Sequence, residues 1–333
     1  MSAMNDKSPL AGRILSLDQY RGYTIFGMIF VNFLGRFDNI PEFFKHHSEY
    51  ITYADTIAPI FLFVAGVGFR LSFLRNRAKE GLRRALWIGF RRYLILTLVG
   101  IVYYDPINWR GWWDALVDIG LSGILALPFI GLGTAWRVAA ACVYMALYQG
   151  LFMFTGYGAW DMASSFDGGP LGPLSWCFSL LFGTIIYDLV AHGDPKRTVR
   201  GCLAWGVGLC LAGWALHAGM RALWPNDPIF WRFSQQAMTA PYPVLATGIA
   251  FLCYLPFYML CDRGGIELPT LTVVGANPLV IYMLSGMYTD IHGGIIPFTS
   301  SAPAAYAAFA ACYIGCWIVA RYLYNNRMIV KIG

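Results

Sequence analysis

An all-α, polytopic membrane protein with about ten transmembrane helices and both termini cytoplasmic is the fold this sequence predicts. Three observations carry it. Mean hydropathy is +0.54. Only 13% of the 333 residues are charged. Apolar stretches near the ~20 residues that cross a ~30 Å hydrocarbon core recur to the end of the chain. A soluble multi-domain protein is excluded by that pattern.

In chain order the spans fall near 20–37, 54–74, 88–104, 114–133, 136–155, 173–191, 199–219, 242–260, 270–288 and 303–324. A polar tail, 1–15, precedes the first and has no cleavable apolar core, so that span reads as an uncleaved signal anchor behind a cytoplasmic tail. After the second span comes the densest basic run, Arg70, Arg75, Arg77, Lys79, Arg83, Arg84, Arg91 and Arg92, which pins that end to the cytoplasm. Of the 24 Lys and Arg, only Arg36, Lys45, Arg110, Arg221 and Arg232 fall on connections assigned outside. The Lys45-His46-His47 connection then faces outward. The net charge of +6 is explained by topology and attraction to anionic membrane lipid, not by nucleic acid.

No internal repeat or long linker divides the chain, so 1–333 reads as one transmembrane domain. The outer connections 156–172, 220–241 and 289–302, with 38–53, supply material for a vestibule. Tyr157, Trp160, Trp224, Trp231 and Tyr242 there are interfacial anchors or platforms for a sugar ring. The eight Cys sit in or beside spans without a Cys-x-x-Cys, and Cys312 and Cys316, one turn apart, read as packing. Gly66 and Gly68 allow close helix contact and are no phosphate loop.

Ionisable residues within spans are costly and need an explanation. Asp18 and Arg21 can pair at i,i+3 where the first helix begins. Asn32, ~21 Å further along and within ~40° of the same face, would extend them into a polar stripe across the membrane. Asp55 starts the second span, where it caps the helix or orients an imidazole. Asp114 and Asp118 lie a turn apart at the outer end of the fourth span, solvated at the interface or binding an acceptor amine or hydroxyl. Asn277-Pro278 interrupts the ninth span, as a kink or as the border of a cavity. His192, His217 and His292 read as solvated. No His-x-x-x-His or acidic partner has ligand spacing, so no metal is expected.

Ser16-Leu17-Asp18-Gln19-Tyr20-Arg21-Gly22-Tyr23, Val31-Asn32, Lys45-His46, Thr52-Tyr53-Ala54-Asp55 through Phe61-Leu62-Phe63-Val64-Ala65-Gly66, and Gly275-Ala276-Asn277-Pro278 together resemble the heparan-α-glucosaminide N-acetyltransferase family. The likeness is dense over 16–72 and returns at 270–285. It looks closest to a bacterial branch, some of whose members are named as N-acetylglucosamine-related transporters. The resemblance implies a transmembrane acyltransferase that delivers acetyl from cytosolic acetyl-CoA to an amino sugar or similar carbohydrate acceptor on the other side. Its catalytic histidine falls on His46, with His47 exchangeable because the connection to Asp55 is about two residues shorter than in the lysosomal enzyme. Asn32 and Asp18 match the family's first-helix Asn and Asp. Glu49-Tyr50-Ile51 replaces the family's Trp-Asn-Gly or Trp-His-Gly.

Acetyl transfer needs a base near neutral pKa and donors for the thioester oxygen. His46 or His47 fits the first role, Asn32 the second and Asp55 supports the imidazole. Asp18, Arg21, Arg70, Arg91, Arg92 and Asn277 are expected on the coenzyme side, although the arginines also serve as positive-inside anchors. Asp114 and Asp118 are expected on the acceptor side. The competing expectation is an amino-sugar transporter with a midplane site at Asn277-Pro278. A bacterial inner-membrane location follows, with the oligomeric state open and a homodimer among the candidates.

Overall fold

The computed structural model describes residues 14–47, 50–223, 228–293 and 295–330. Ser48, Glu49, Trp224, most of the 1–15 tail and the side chain of His292 lie outside the described residues. The fold is helical, with no strand among the described residues. In chain order the helices are α1 (Leu15–Leu34), α2 (Tyr53–Glu80), α3 (Leu82–Tyr104), α4 (Ala115–Ala126), α5 (Thr134–Phe154), α6 (Tyr157–Ser164), α7 (Gly172–Ala191), α8 (Pro195–Leu223), α9 (Pro241–Phe257), α10 (Pro269–Ala276), α11 (Pro278–Gly293) and α12 (Ala302–Asn325).

Among the described residues seven helices are long and apolar enough to cross a membrane: α2, α3, α5, α7, α8, α9 and α12. The other expected spans depart in instructive ways. α1 spends hydropathy on Asp18, Gln19, Arg21 and Asn32. The 114–133 span contains only the 12-residue α4, which at 1.5 Å per residue reaches ~18 Å, short of the core thickness. The ninth span is broken at Asn277-Pro278, where α10 and α11 meet at 91°. That is far more than a proline kink.

α2 and α7 form the centre, buried over 61% and 72% of their apolar windows. Their backbones touch through reciprocal glycines. A Cβ on Gly66 would sit 1.9 Å from the Leu180 carbonyl oxygen, and one on Gly183 would sit 2.0 Å from that of Phe63. Gly68, by contrast, faces no helix backbone and leaves room for the Arg21 guanidinium. At one end of this pair Arg70 of α2 and the fully buried Arg137 of α5 share Asp188 of α7, with Thr184 and Thr134 completing the cluster. One carboxylate thus serves two buried guanidinium groups.

The Ser16–Arg21 motif divides its work by face. Ser16 donates its backbone N–H and hydroxyl to Asp262 at 2.9 and 2.5 Å, so a distant carboxylate closes the start of α1. Gln19 bridges Thr272 and the Leu268 N–H, and the Tyr20 hydroxyl donates to the Ala250 carbonyl at 2.9 Å. These tie α1 to α9 and α10. Asp18 and Arg21 pair at 3.5 Å on another face.

Candidate active site

A cavity of about 850 Å³ lies between α1, α2, α3, α4 and α11. Arg21, Arg75, Lys79, Arg84, Arg91 and Arg92 line one end, and Ala115, Leu116 and Tyr282 line the other. Phe61, Val64, Ala65 and Leu96 make the middle apolar. Arg21 and Met28 both face it, and Asn32 stands one further turn along that same face, exposed. Of the expected stripe on α1, Arg21 lines this cavity, while Asp18 and Asn32 are not part of its wall.

Arg70 does not line it. Its guanidinium is spent on Asp188 at 3.2 Å and on the Ile130 carbonyl, which removes it from the expected coenzyme contacts. Asn277 lines the cavity but has both amide atoms engaged: Nδ2 donates to the Met328 carbonyl at 3.0 Å and Oδ1 accepts from the Val330 N–H at 2.8 Å. It clamps the 328–330 segment against the α10–α11 break, so its expected role toward the coenzyme becomes one of wall-building.

The histidine connection is held from several sides. Lys45 ties Asp38 to Glu42. Asp38 N–H donates to Phe298, and Asn39 donates to Thr299 and Ser300. The Thr52 hydroxyl lies 2.7 Å from the Lys45 carbonyl. Asp55, 1% exposed, closes the capping box of α2 by accepting the Thr52 N–H on Oδ2 at 3.0 Å. Its other oxygen, Oδ1, lies 2.9 Å from His46 Nδ1. A carboxylate only accepts, so Nδ1 carries the proton and Nε2 is left for chemistry. Both readings of Asp55, cap and orienter, hold at once.

This geometry separates the adjacent histidines. The His47 ring stacks on Tyr50, centroids 3.7 Å apart at 22°, whereas the half-exposed His46 is fixed by Asp55. Burial pushes the His46 imidazole down, but the hydrogen bond and charge of Asp55, followed by the charges of Asp167 and Asp114, outweigh it. The net result is a pKa above the ordinary value.

Asp114 is the N-cap of α4 and accepts the Ala115 N–H at 2.6 Å, which places it one residue from the cavity wall. Asp118 is fully buried, and among the described residues neither oxygen has a hydrogen-bond partner. That overturns interfacial solvation: α4 turns it inward beneath the 165–172 segment, where a Cβ on Gly172 would sit 3.7 Å from its Oδ1.

Two further acids escaped sequence reasoning. Asp167 sits in a turn with φ 52, followed by Gly168 and Gly169 at φ 83 and 55. The Trp176 indole donates to its carbonyl at 3.0 Å and Gln235 Nε2 to its Oδ1 at 3.0 Å. Burial, reinforced by Asp114, pushes Asp167 up to about 7. Burial and Asp167 do the same for Asp161, also to about 7. Both lie in a Gly/Asp/Ser-rich stretch whose spacing carries no signal. Trp109 and Trp160 stack above at 5.8 Å and 6°, while His217 stacks on Phe233 and donates to the Trp231 carbonyl. Among the described residues no three His, Cys, Asp or Glu are grouped to hold a metal ion.

Fold and site together define a multi-pass helical membrane protein with a cation-lined cavity between its helices and, on the 38–52 connection, a histidine oriented by a buried carboxylate. The chain belongs to the heparan-alpha-glucosaminide N-acetyltransferase catalytic family, whose sequence profile matches residues 13–212 of the 333. That stretch holds α1 through most of α8, and with them His46, Asp55 and every cation of the cavity. A curated relative, described as an uncharacterized 39.9 kDa protein in amylase 3'region from Bacillus acidopullulyticus, is 28% identical over 154 residues. The match covers 44% of this chain and 42% of that protein, so the chain spans less than half the length of this relative.

Proposed function

We propose that this protein is a transmembrane acetyltransferase that takes acetyl from acetyl-CoA at the arginine end of the cavity and transfers it to a carbohydrate acceptor, an amino sugar in the first instance, at His46. The cavity itself carries this reading. Its cations suit the phosphates of coenzyme A, its apolar middle suits the pantetheine arm, and its far wall ends one residue from Asp114. Membership in an acetyltransferase family favours this enzyme over a transporter. The basic end faces the cytoplasm and His46 the opposite side of a bacterial inner membrane, by the distribution of Lys and Arg.

At the site, Asp55 holds the Nδ1–H tautomer, and His46 Nε2 takes the proton from the acceptor amine or hydroxyl as the acceptor attacks the thioester carbonyl; the carbon–sulfur bond then breaks and the coenzyme A sulfur leaves with the proton held on Nε2. Asn32, on the cavity face of α1, donates to the carbonyl oxygen as charge develops there. Alternatively Nε2 attacks the thioester itself, coenzyme A leaves as its thiolate, and the acetyl-imidazole then passes its acetyl group to the acceptor, whose proton the released thiolate or the freed imidazole takes. Purified protein incubated with labelled acetyl-CoA should acetylate a glucosamine-type acceptor in a His46-dependent manner. Label on the chain before acceptor is added would mark the carrier route. Counterflow of N-acetylglucosamine in proteoliposomes without acetyl-CoA, and no transfer, would replace the enzyme with a transporter.

A further inference from the structure

A second cavity, of about 800 Å³, opens on the outside of α3, between the α2–α3 corner and the end of α4. Its floor is apolar, made by Trp87, Phe90, Leu127 and Pro128, and its rim carries Arg83 and Arg84. The corner is as short as a helix junction can be. Gly81 alone joins the helices at φ 83, which brings the rim charges directly over the floor. Gly89 lets α3 close on the end of α4, since a Cβ there would lie 2.8 Å from Leu127 Cδ2.

The surface continuing from this groove is apolar and uncovered. Trp87, Leu94, Leu98 and Val102 succeed one another along one face of α3, and all are exposed, Trp87 by 51%. An indole one turn from the adjacent arginines, with Leu94 and Leu98 following within ~16 Å, reproduces the polarity profile of one bilayer leaflet, and Val102 continues the apolar face into the other.

We propose that this groove is a binding site for an anionic phospholipid, with its phosphate and headgroup against Arg83 and Arg84, its glycerol region beside Trp87 and an acyl chain along Leu94 and Leu98, ~10 and ~16 Å further along the helix. Charge complementarity selects the occupant, because the rim offers two guanidinium groups and one competing carboxylate, Glu80, paired with Arg84 at 3.2 Å. Glu80 and Arg84 also line the central cavity. A headgroup phosphate and an anion in that cavity therefore share one cation. The proposal does not depend on the acetyltransferase reading, because its readout is bound lipid.

Wild-type protein reconstituted in nanodiscs of mixed phosphatidylglycerol and phosphatidylcholine, then released for native mass spectrometry, should retain phosphatidylglycerol preferentially. An arginine near the headgroups is worth about fivefold in affinity. The double variant Arg83→Gln, Arg84→Gln should thus lower the preference about thirtyfold at most, with its thermal unfolding unchanged. Glu80→Gln, which frees Arg84, should raise it. Arg197→Gln with Arg200→Gln, at the exposed start of α8, should leave it as it was. Equal retention of the two lipids by wild type, or undiminished preference in the double variant, overturns the site. An equal loss in the α8 variant would mean bulk surface charge and overturns it as well.

Discussion

At the arginine end Arg21, Arg75, Lys79, Arg91 and Arg92 stand around a cavity on three helices, whereas at the histidine end Asp55, Asp118 and Asp161 are buried and Asp114 and Asp167 partly buried. The first set resembles a landing surface, with several cations sharing one open volume. The second is built around single atoms. Asp55 divides its two oxygens between the Thr52 backbone and His46 Nδ1, and Asp167 is fixed by an indole and a glutamine amide. The contrast separates binding from chemistry. Cations that act together tolerate individual loss, while an imidazole aimed through one hydrogen bond does not.

The sharpest test of that division is removal of the imidazole. His46→Ala should lower the rate of acetyl transfer on the order of a thousandfold, within the range for a general acid–base group. His47→Ala should cost less than about threefold, since its ring packs on Tyr50. Initial rates with labelled acetyl-CoA measure both, and equal losses would break the distinction between the two histidines.

Asp55→Asn comes next, with a loss on the order of a hundredfold and a shift in pH dependence. Asp55 raises the His46 pKa against the downward push of burial. Without it the acid limb of kcat/KM should therefore move to lower pH. The pair also contributes stability that is complete below the ordinary imidazole pKa and is lost as pH rises through the raised value. Asp55→Asn should therefore lower the Tm more at pH 5 than at pH 8. An acid limb that moves upward would contradict the assigned hydrogen bond.

Much of this arrangement was legible in the sequence, and the rest was hidden for identifiable reasons. Helical class and most spans follow from apolar length, and Asp18, Arg21 and Asn32 share a face because helical periodicity is local. Arg70 looked equivalent to Arg91 and Arg92, because a basic run shows topology but not which guanidinium meets a carboxylate 118 residues away. Arg137 and Asp188 were silent for the same reason. Asp118 gave no sign that α4 stops after 12 residues and turns its carboxylate inward. Tertiary contact decided each of these.

At the cationic end the expected effect is smaller and confined to binding. Arg91→Gln with Arg92→Gln should raise the KM for acetyl-CoA roughly tenfold, about 1.4 kcal/mol, with kcat nearly unchanged. Arg70→Gln should act differently, through stability, because it strips one partner from the partly buried carboxylate that Arg70 shares with Arg137. A KM effect from Arg70 as large as that from the pair would return it to the coenzyme side.

The smallest effect expected is a gain. Asp161 is fully buried, has no hydrogen-bond partner for either oxygen among the described residues, and is pushed up to about 7 by burial and by Asp167. Its proton is thus held more tightly in the folded chain than in the unfolded one. That contribution to stability is complete below the ordinary carboxylate range and is lost as pH rises through about 7. Asp161→Asn replaces the carboxyl by a neutral group of the same shape, so the Tm difference from wild type in detergent should be smallest below about pH 4, should open in the variant's favour between pH 4 and pH 7, and should be largest near pH 8.5. The advantage can grow by no more than ~1.4 kcal/mol per pH unit. If the variant is instead less stable at pH 8.5, the buried carboxylate has a partner that favours its charge, and the acids of the histidine end would be held as firmly as the cations Arg70 and Arg137 are by Asp188.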